Sequence, residues 1–169
     1  HTPTGLGNHA AIVTEDVTKL PMAEKIRHML EDMKYTGFSN FDIKQVGDTD
    51  DFRCFEINLR QGRSNYYVTG AGINIVKLVM ETYEDGKEDL TLCTQETFWR
   101  VIPSAVAFKY TEDKALVAKA KQLQKQGKCS SSLEYKKDMF RNPMRFAFVM
   151  EQLRRQFKKF KKYYPVKPE

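Results

Sequence analysis

Asn40-Phe41-Asp42-Ile43-Lys44 and Phe55-Glu56-Ile57-Asn58-Leu59-Arg60 decide how this chain is read. In the first stretch Phe41 and Ile43 alternate with Asp42 and Lys44; in the second Phe55, Ile57 and Leu59 alternate with Glu56, Asn58 and Arg60. Alternation of period two marks strands with one apolar and one polar face. Between them Gly47-Asp48-Thr49-Asp50-Asp51 is rich in turn formers. Residues 38–59 therefore read as a β-hairpin. A turn centred on Thr49 sets Asp42 opposite Glu56, Asn40 opposite Asn58 and Lys44 opposite Cys54, all on the polar face.

Opposed side chains in a hairpin sit ~4.5–5.5 Å apart, and like charges there repel. Asp42 facing Glu56 is explained if a cation lies between them. Hard divalent ions take carboxylates, amide oxygens and substrate phosphates as ligands. Asn58, one pleat from Glu56, brings that amide, so Asp42, Glu56 and Asn58 form a candidate Mg²⁺ (or Mn²⁺) site. The plain alternative is a wet sheet face, on which acids are ordinary and Lys44 can neutralise the pair.

Working outward, Arg60 leads into the polar loop Gln61-Gly62-Arg63-Ser64-Asn65. The loop feeds an apolar helix expected from about Ala71 to Tyr83, whose N-terminus would aim free N–H groups at the same volume. Upstream, Ala10 to Thr14 reads as a strand. Pro21 opens a helix with a Met22, Ile26, Met29, Leu30, Met33 stripe, which Gly37 is placed to end. Downstream, Phe98 to Pro103 begins another stretch, and Ser104 to Tyr110 reads as extended. Glu112 to Gln126 reads as a surface helix closed by Gly127. A long basic helix carries Phe146, Val149, Leu153, Phe157, Phe160 and Tyr164 at helical spacing. The expected class is α+β, an antiparallel sheet with packed helices, with residues 1–88 as one unit and residues 89–169 as an extension.

The 169 residues are 41% apolar and 12% aromatic, enough for a core. No apolar run approaches the ~18 residues of a membrane span, and no leader pattern opens the chain, so a cytoplasmic setting is expected. Cys54, Cys93 and Cys129 lack CxxC spacing, and His1, His9 and His28 lack metal-ligand spacing. They argue against a disulfide framework and a zinc site. The net charge is +6, and from residue 150 onward seven bases stand against Glu151 and Glu169, leaving the body near neutral. A general nucleic-acid face is therefore not expected.

The segment from Glu56 to Arg60 resembles the Glu-x-Asn-x-Arg signature of ATP-grasp enzymes, and Asn40 to Lys44 resembles the strand bearing that family's first metal-binding acid. With Gly62-Arg63-Ser64-Asn65, the wording is similar to carboxylate–amine ligases (ATP-dependent carboligases) of the D-aspartate ligase type. The resemblance is clearest over residues 8–83 and looser around Phe98 to Pro103. It implies the C-terminal subdomain of an ATP-grasp fold followed by a helical extension. It further implies ATP and Mg²⁺ as cofactors, with Asp42, Glu56 and Asn58 on the metal and Asn58 and Lys44 near the nucleotide. Arg60 would be catalytic and, with Arg63, Ser64 and Asn65, would meet the carboxylate substrate. The reaction implied is amide formation through an acyl-phosphate, from small carboxylate and amine substrates, one of them conceivably a cell-wall precursor. The phosphate-holding lysines and glycine-rich lid of the family are not found here, and Gly5-Leu6-Gly7 does not replace them. The segment alone is thus expected to be inactive. A competing reading makes the basic terminal helix a binding module for an anionic membrane surface or, through Tyr163 and Tyr164, for nucleic acid.

Overall fold

The structure, a computed structural model, describes residues 9–47, 49–86, 90–134 and 136–164. The Gly5-Leu6-Gly7 loop, Asp48 and the chain beyond Tyr164 lie outside the described residues. The class is α+β, as expected: small sheets with several packed helices.

The core forms around a short three-stranded sheet. Strand β1 (Ala11–Val13) pairs antiparallel with β4 (Phe98–Arg100), and β4 pairs parallel with β5 (Cys129–Ser130), in the order β1-β4-β5. The β1–β4 pairing is extended by buried Thr14, whose hydroxyl accepts from Thr97 N at 2.8 Å and donates to Gln95 O at 3.0 Å. Alternation along β4 sends Phe98 to one side of the sheet and Trp99 to the other. On the Phe98 side lie α4 (Ser104–Tyr110), α5 (Lys114–Lys125) and the end of α7 (Pro143–Tyr163), which contribute Val106, Ala107, Ala120, Leu123 and Phe160. Phe98 and Phe108 stack with centroids 5.7 Å apart. On the Trp99 side sits α2 (Tyr66–Gly70), which packs against β4 and β5. The sheet thus joins residues from both sides of position 88, where the sequence suggests a boundary.

Several elements depart from the expectations. Helix α1 (Pro21–Asp32) starts at its proline but ends before Gly37. Lys34 at φ +51° terminates it, with Tyr35 N donating to Leu30 O and Lys34 N to Glu31 O, an end that needs a left-handed residue but not glycine. The helix expected from about Ala71 begins only at Ile75, as α3 (Ile75–Tyr83), and the separate five-residue α2 precedes it. Gly72 at φ +96° closes α2 with bonds from Gly72 N to Thr69 O and Ile73 N to Val68 O, and Asn74 caps α3 through Lys77 N. Ser104 to Tyr110 is helical, not extended. Pro103 O accepts from Val106 N and Ala107 N, and burial of both side chains in the core outweighs the β preference of the run. Helix α5 matches its expected place, capped by Asp113 and closed by Gly127.

Helices α6 (Lys136–Arg141) and α7 meet at Asn142, which caps α7 through Arg145 N. Of the α7 stripe, Val149 and Phe160 are buried while Phe146, Phe157 and Tyr164 are largely exposed. The helix docks on the body along a narrower line than its periodicity suggests.

Candidate metal and substrate site

The site begins with the hairpin of β2 (Asn40–Gln45) and β3 (Phe52–Asn58). Asn40 pairs with Asn58, Phe41 with Ile57 and Asp42 with Glu56, as the turn residues imply. Beyond Asp42 the register shifts: Ile43 pairs with Cys54 and Lys44 with Arg53. Lys44 therefore faces Arg53, not Cys54. The extra residue is Phe55, and a bulge at such a point bends and twists its strand. It also removes Phe55 from the apolar face expected for it, leaving it 71% exposed. Ile57 and Leu59 are exposed as well, whereas Phe41 and Ile43 are half-buried.

The bulge preserves the acid pair and places two bases past it. Asp42 and Glu56 are direct cross-strand partners, so both side chains leave the same face. Among the described residues neither carboxylate enters an ion pair; Asp42 accepts one hydrogen bond, from Asn40 Nδ2 at 3.3 Å. Arg53 is held by Asp51 at 2.9 Å, which leaves Lys44 without an acidic partner among the described residues. Asn58 Oδ1 accepts from Arg60 Nη2 at 3.1 Å, and Arg60 Nη1 donates to Gln61 O at 3.3 Å. The guanidinium is parked over the amide at the edge of the acid pair.

These groups suit a hard divalent cation. With no ion-pair partner among the described residues, the two carboxylates are available to a cation, and Asn58 Oδ1 keeps a lone pair beside its bond to Arg60. Among the described residues no three His, Cys, Asp or Glu side chains gather as a closed metal cage. Two acids and an amide form an open set, the kind that Mg²⁺ completes with water and phosphate oxygens.

The loop after β3 folds back against the hairpin. A Cβ on Gly62 would come within 2.9 Å of Asn40 Oδ1 and 2.5 Å of the end of the Asn65 amide, so a side chain there would displace one or both of those amides. Oriented to satisfy both its groups, the Asn65 amide donates to Gly62 O (3.2 Å) and accepts from Gly62 N (3.1 Å). Asn65 thus clamps its own loop, and it does not line the adjoining cavity.

That cavity, about 230 Å³, is lined by His9, Arg63, Ser64, Tyr66, Trp99, Val101 and Ser132. It brings together two expected substrate residues, Arg63 and Ser64, with apolar Val101 and with four polar or aromatic side chains to which the sequence assigns no role: His9, Tyr66, Trp99 and Ser132. Burial holds the His9 imidazole below its usual pKa, and the nearby Asp42 carboxylate opposes that shift. Asp42 is therefore near enough to act electrostatically on one residue of the cavity wall. No local signal in the sequence marks the four added residues, because they converge from positions 9, 66, 99 and 132 only through the β1–β4–β5 sheet. The helix next to the loop is the five-residue α2, not a long apolar helix; the Gly72 turn places α3 farther along the chain.

No family model and no solved structure matches the chain. It is similar to a D-aspartate ligase of Enterococcus faecium (strain Aus0004), 33% identical over 175 residues, a match that takes in 98% of this chain and 40% of that protein. The chain spans about two fifths of the curated relative it matches, and the match runs through both the hairpin and the cavity. In sequence, the chain is ligase-like.

Proposed function

We propose that this chain is the metal- and substrate-binding part of an ATP-dependent carboxylate–amine ligase of the ATP-grasp kind. Its supporting observation is the pair Asp42 and Glu56, directly opposed and free of ion pairs among the described residues, beside Asn58 and Arg60. The similarity to a D-aspartate ligase supports the reaction class and makes an acidic amino acid a candidate substrate, with a cell-wall precursor as a candidate acceptor.

In this reading Asp42, Glu56 and Asn58 would hold Mg²⁺, and Lys44 would stand by the ATP phosphates. The metal, when bound, supplies charge neutralisation on the phosphoryl oxygens. Arg63 and Ser64 hold the carboxylate substrate in the cavity, where Trp99 and Val101 wall it from water. A substrate carboxylate oxygen takes the γ-phosphoryl group and ADP departs, giving an acyl-phosphate. An amine then adds to the acyl carbon, phosphate leaves, and the amine proton is lost to yield the amide. Arg60, released from Asn58, meets the negative charge that grows on the carbonyl oxygen during that addition. Most of the acceleration comes from positioning.

The test is Mg²⁺-dependent ADP release by the full-length enzyme carrying this segment, with Glu56→Ala and Asn58→Ala variants. Loss of turnover by at least about a hundredfold is expected in both, beyond what groups behind the ligands contribute, with unchanged circular dichroism. Near-normal turnover in both variants would overturn the reading.

A further inference from the structure

Charge and exposed apolar surface are concentrated together on α6 and α7, away from the hairpin. Residues 136–162 carry ten bases and two acids, a net +8 within a chain of net +6, so the remainder is net −2. The two buried residues of α7, Val149 and Phe160, fix which side of the helix faces the body. At 100° per residue Arg154, Arg155, Lys158, Lys161 and Lys162 then fall on the opposite side, and all five are exposed. The one acid on that side, Glu151, is bonded to Arg154 at 2.6 Å and to Arg155 at 2.8 Å. At the other end of the same surface, the α6–α7 corner projects Phe140, 84% exposed, and Met144, 81% exposed. Phe148 follows one turn later at 52%, with the Arg145 guanidinium 5.9 Å from its ring centre.

Large apolar side chains with this much exposure mark an interaction surface when they cluster. The periodic stripe read from the sequence is not that surface, since Val149 and Phe160 are spent on docking. A row of cations continuous with an apolar tip is complementary to a surface that is anionic and has hydrocarbon just beneath it. We infer that the outer face of α7 and the Phe140–Met144 corner dock on an anionic phospholipid bilayer, the bases meeting lipid phosphates while Phe140 and Met144 enter the headgroup boundary. A nucleic-acid strand would satisfy the bases but has no use for Met144, which offers no ring to stack. The attachment is peripheral, because no helix among the described residues is long and apolar enough to cross a membrane.

Sedimentation of this chain with phosphatidylcholine vesicles, with and without about 30% phosphatidylglycerol, tests the inference and is independent of any ligase activity. Binding is expected only to the anionic vesicles, weakening as salt is raised. Charge removal in a Lys158→Gln, Lys159→Gln, Lys161→Gln, Lys162→Gln variant should lower affinity on the order of a hundredfold. The Phe140→Ser, Met144→Ser variant alters only exposed side chains, so it should fold normally and lose about tenfold. Equal binding to both vesicle types, or wild-type affinity in the serine variant, overturns the inference. So does tighter binding to a single-stranded RNA oligonucleotide that depends on the lysines but not on Phe140 and Met144, or a dimer that the serine variant abolishes.

Discussion

In the proposed reaction Arg60 is a side chain held ready outside the reacting volume. Its guanidinium is exposed and bonded to Asn58 Oδ1 and Gln61 O, contacts that cost little to exchange for a developing oxyanion. An interaction made mainly in the transition state lowers the barrier without tightening the ground state. The Arg60→Ala enzyme is therefore expected to lose about 10²–10³ in kcat with KM nearly unchanged, measured from steady-state ADP release. An effect confined to KM would place Arg60 on the substrate's ground state. Glu151 makes a second prediction. Its bonds to Arg154 and then Arg155 pull its carboxyl down to about 2 from an ordinary 4.5. A depressed acid contributes stability that is complete above its unfolded pKa and lost as pH falls through the folded one. Part of the stability of α7 should therefore fade between pH 4.5 and about 2, and Glu151→Gln should flatten that part of the thermal-melting profile. Identical pH profiles for the two proteins would show that the pair does nothing for α7. The effect is small, since the pair lies at the surface within reach of solvent.

Element boundaries decided how much of the site could be read in advance. The hairpin was legible because alternation and turn residues agreed, and its pairing from Asn40 to Asp42 follows from them. The bulge was not, since nothing local distinguishes Phe55 from the alternating residues beside it. The break at Gly72 is hidden in the sequence because apolar periodicity around it masks a glycine in left-handed conformation and a capping Asn74. At Ser104 to Tyr110 the local and global preferences conflict: Val106 and Phe108 favour strands locally, and the core they enter does not. Helix α2, at the centre of this region, packs closely on β5. A Cβ on Gly70 would sit 2.1 Å from Ser130 Oγ and 3.0 Å from Ser130 Cβ. The hydroxyl can rotate away, but the Cβ cannot. Gly70→Ala is expected to cost about 1–3 kcal/mol, read as a lowered denaturant midpoint, and adding Ser130→Gly should restore most of it. No restoration in the double variant would mean the strain lies elsewhere.

At the scale of the whole molecule, the sheet that organises the core also builds the cavity. Strand β4 points Phe98 into the packed side and Trp99 into the cavity side, and β1 brings His9 to the wall of the same cavity. Composition and periodicity reveal the α+β class and the basic terminal helix. They cannot reveal that residues 9, 64, 99 and 132 meet, because that depends on a pairing between strands more than eighty residues apart. The charge asymmetry was legible, but which apolar residues of α7 stay outside depended on how the helix docks.

In the proposed site Asp42, Glu56 and Asn58 together grip a divalent cation. Paramagnetic broadening of amide NMR signals by Mn²⁺, titrated into this chain, reads that contact directly. Signals from residues 40–42 and 56–58 should broaden first and recover in a Glu56→Gln variant. Broadening that begins instead at the exposed acids of α1, or that is unchanged by Glu56→Gln, would contradict the account.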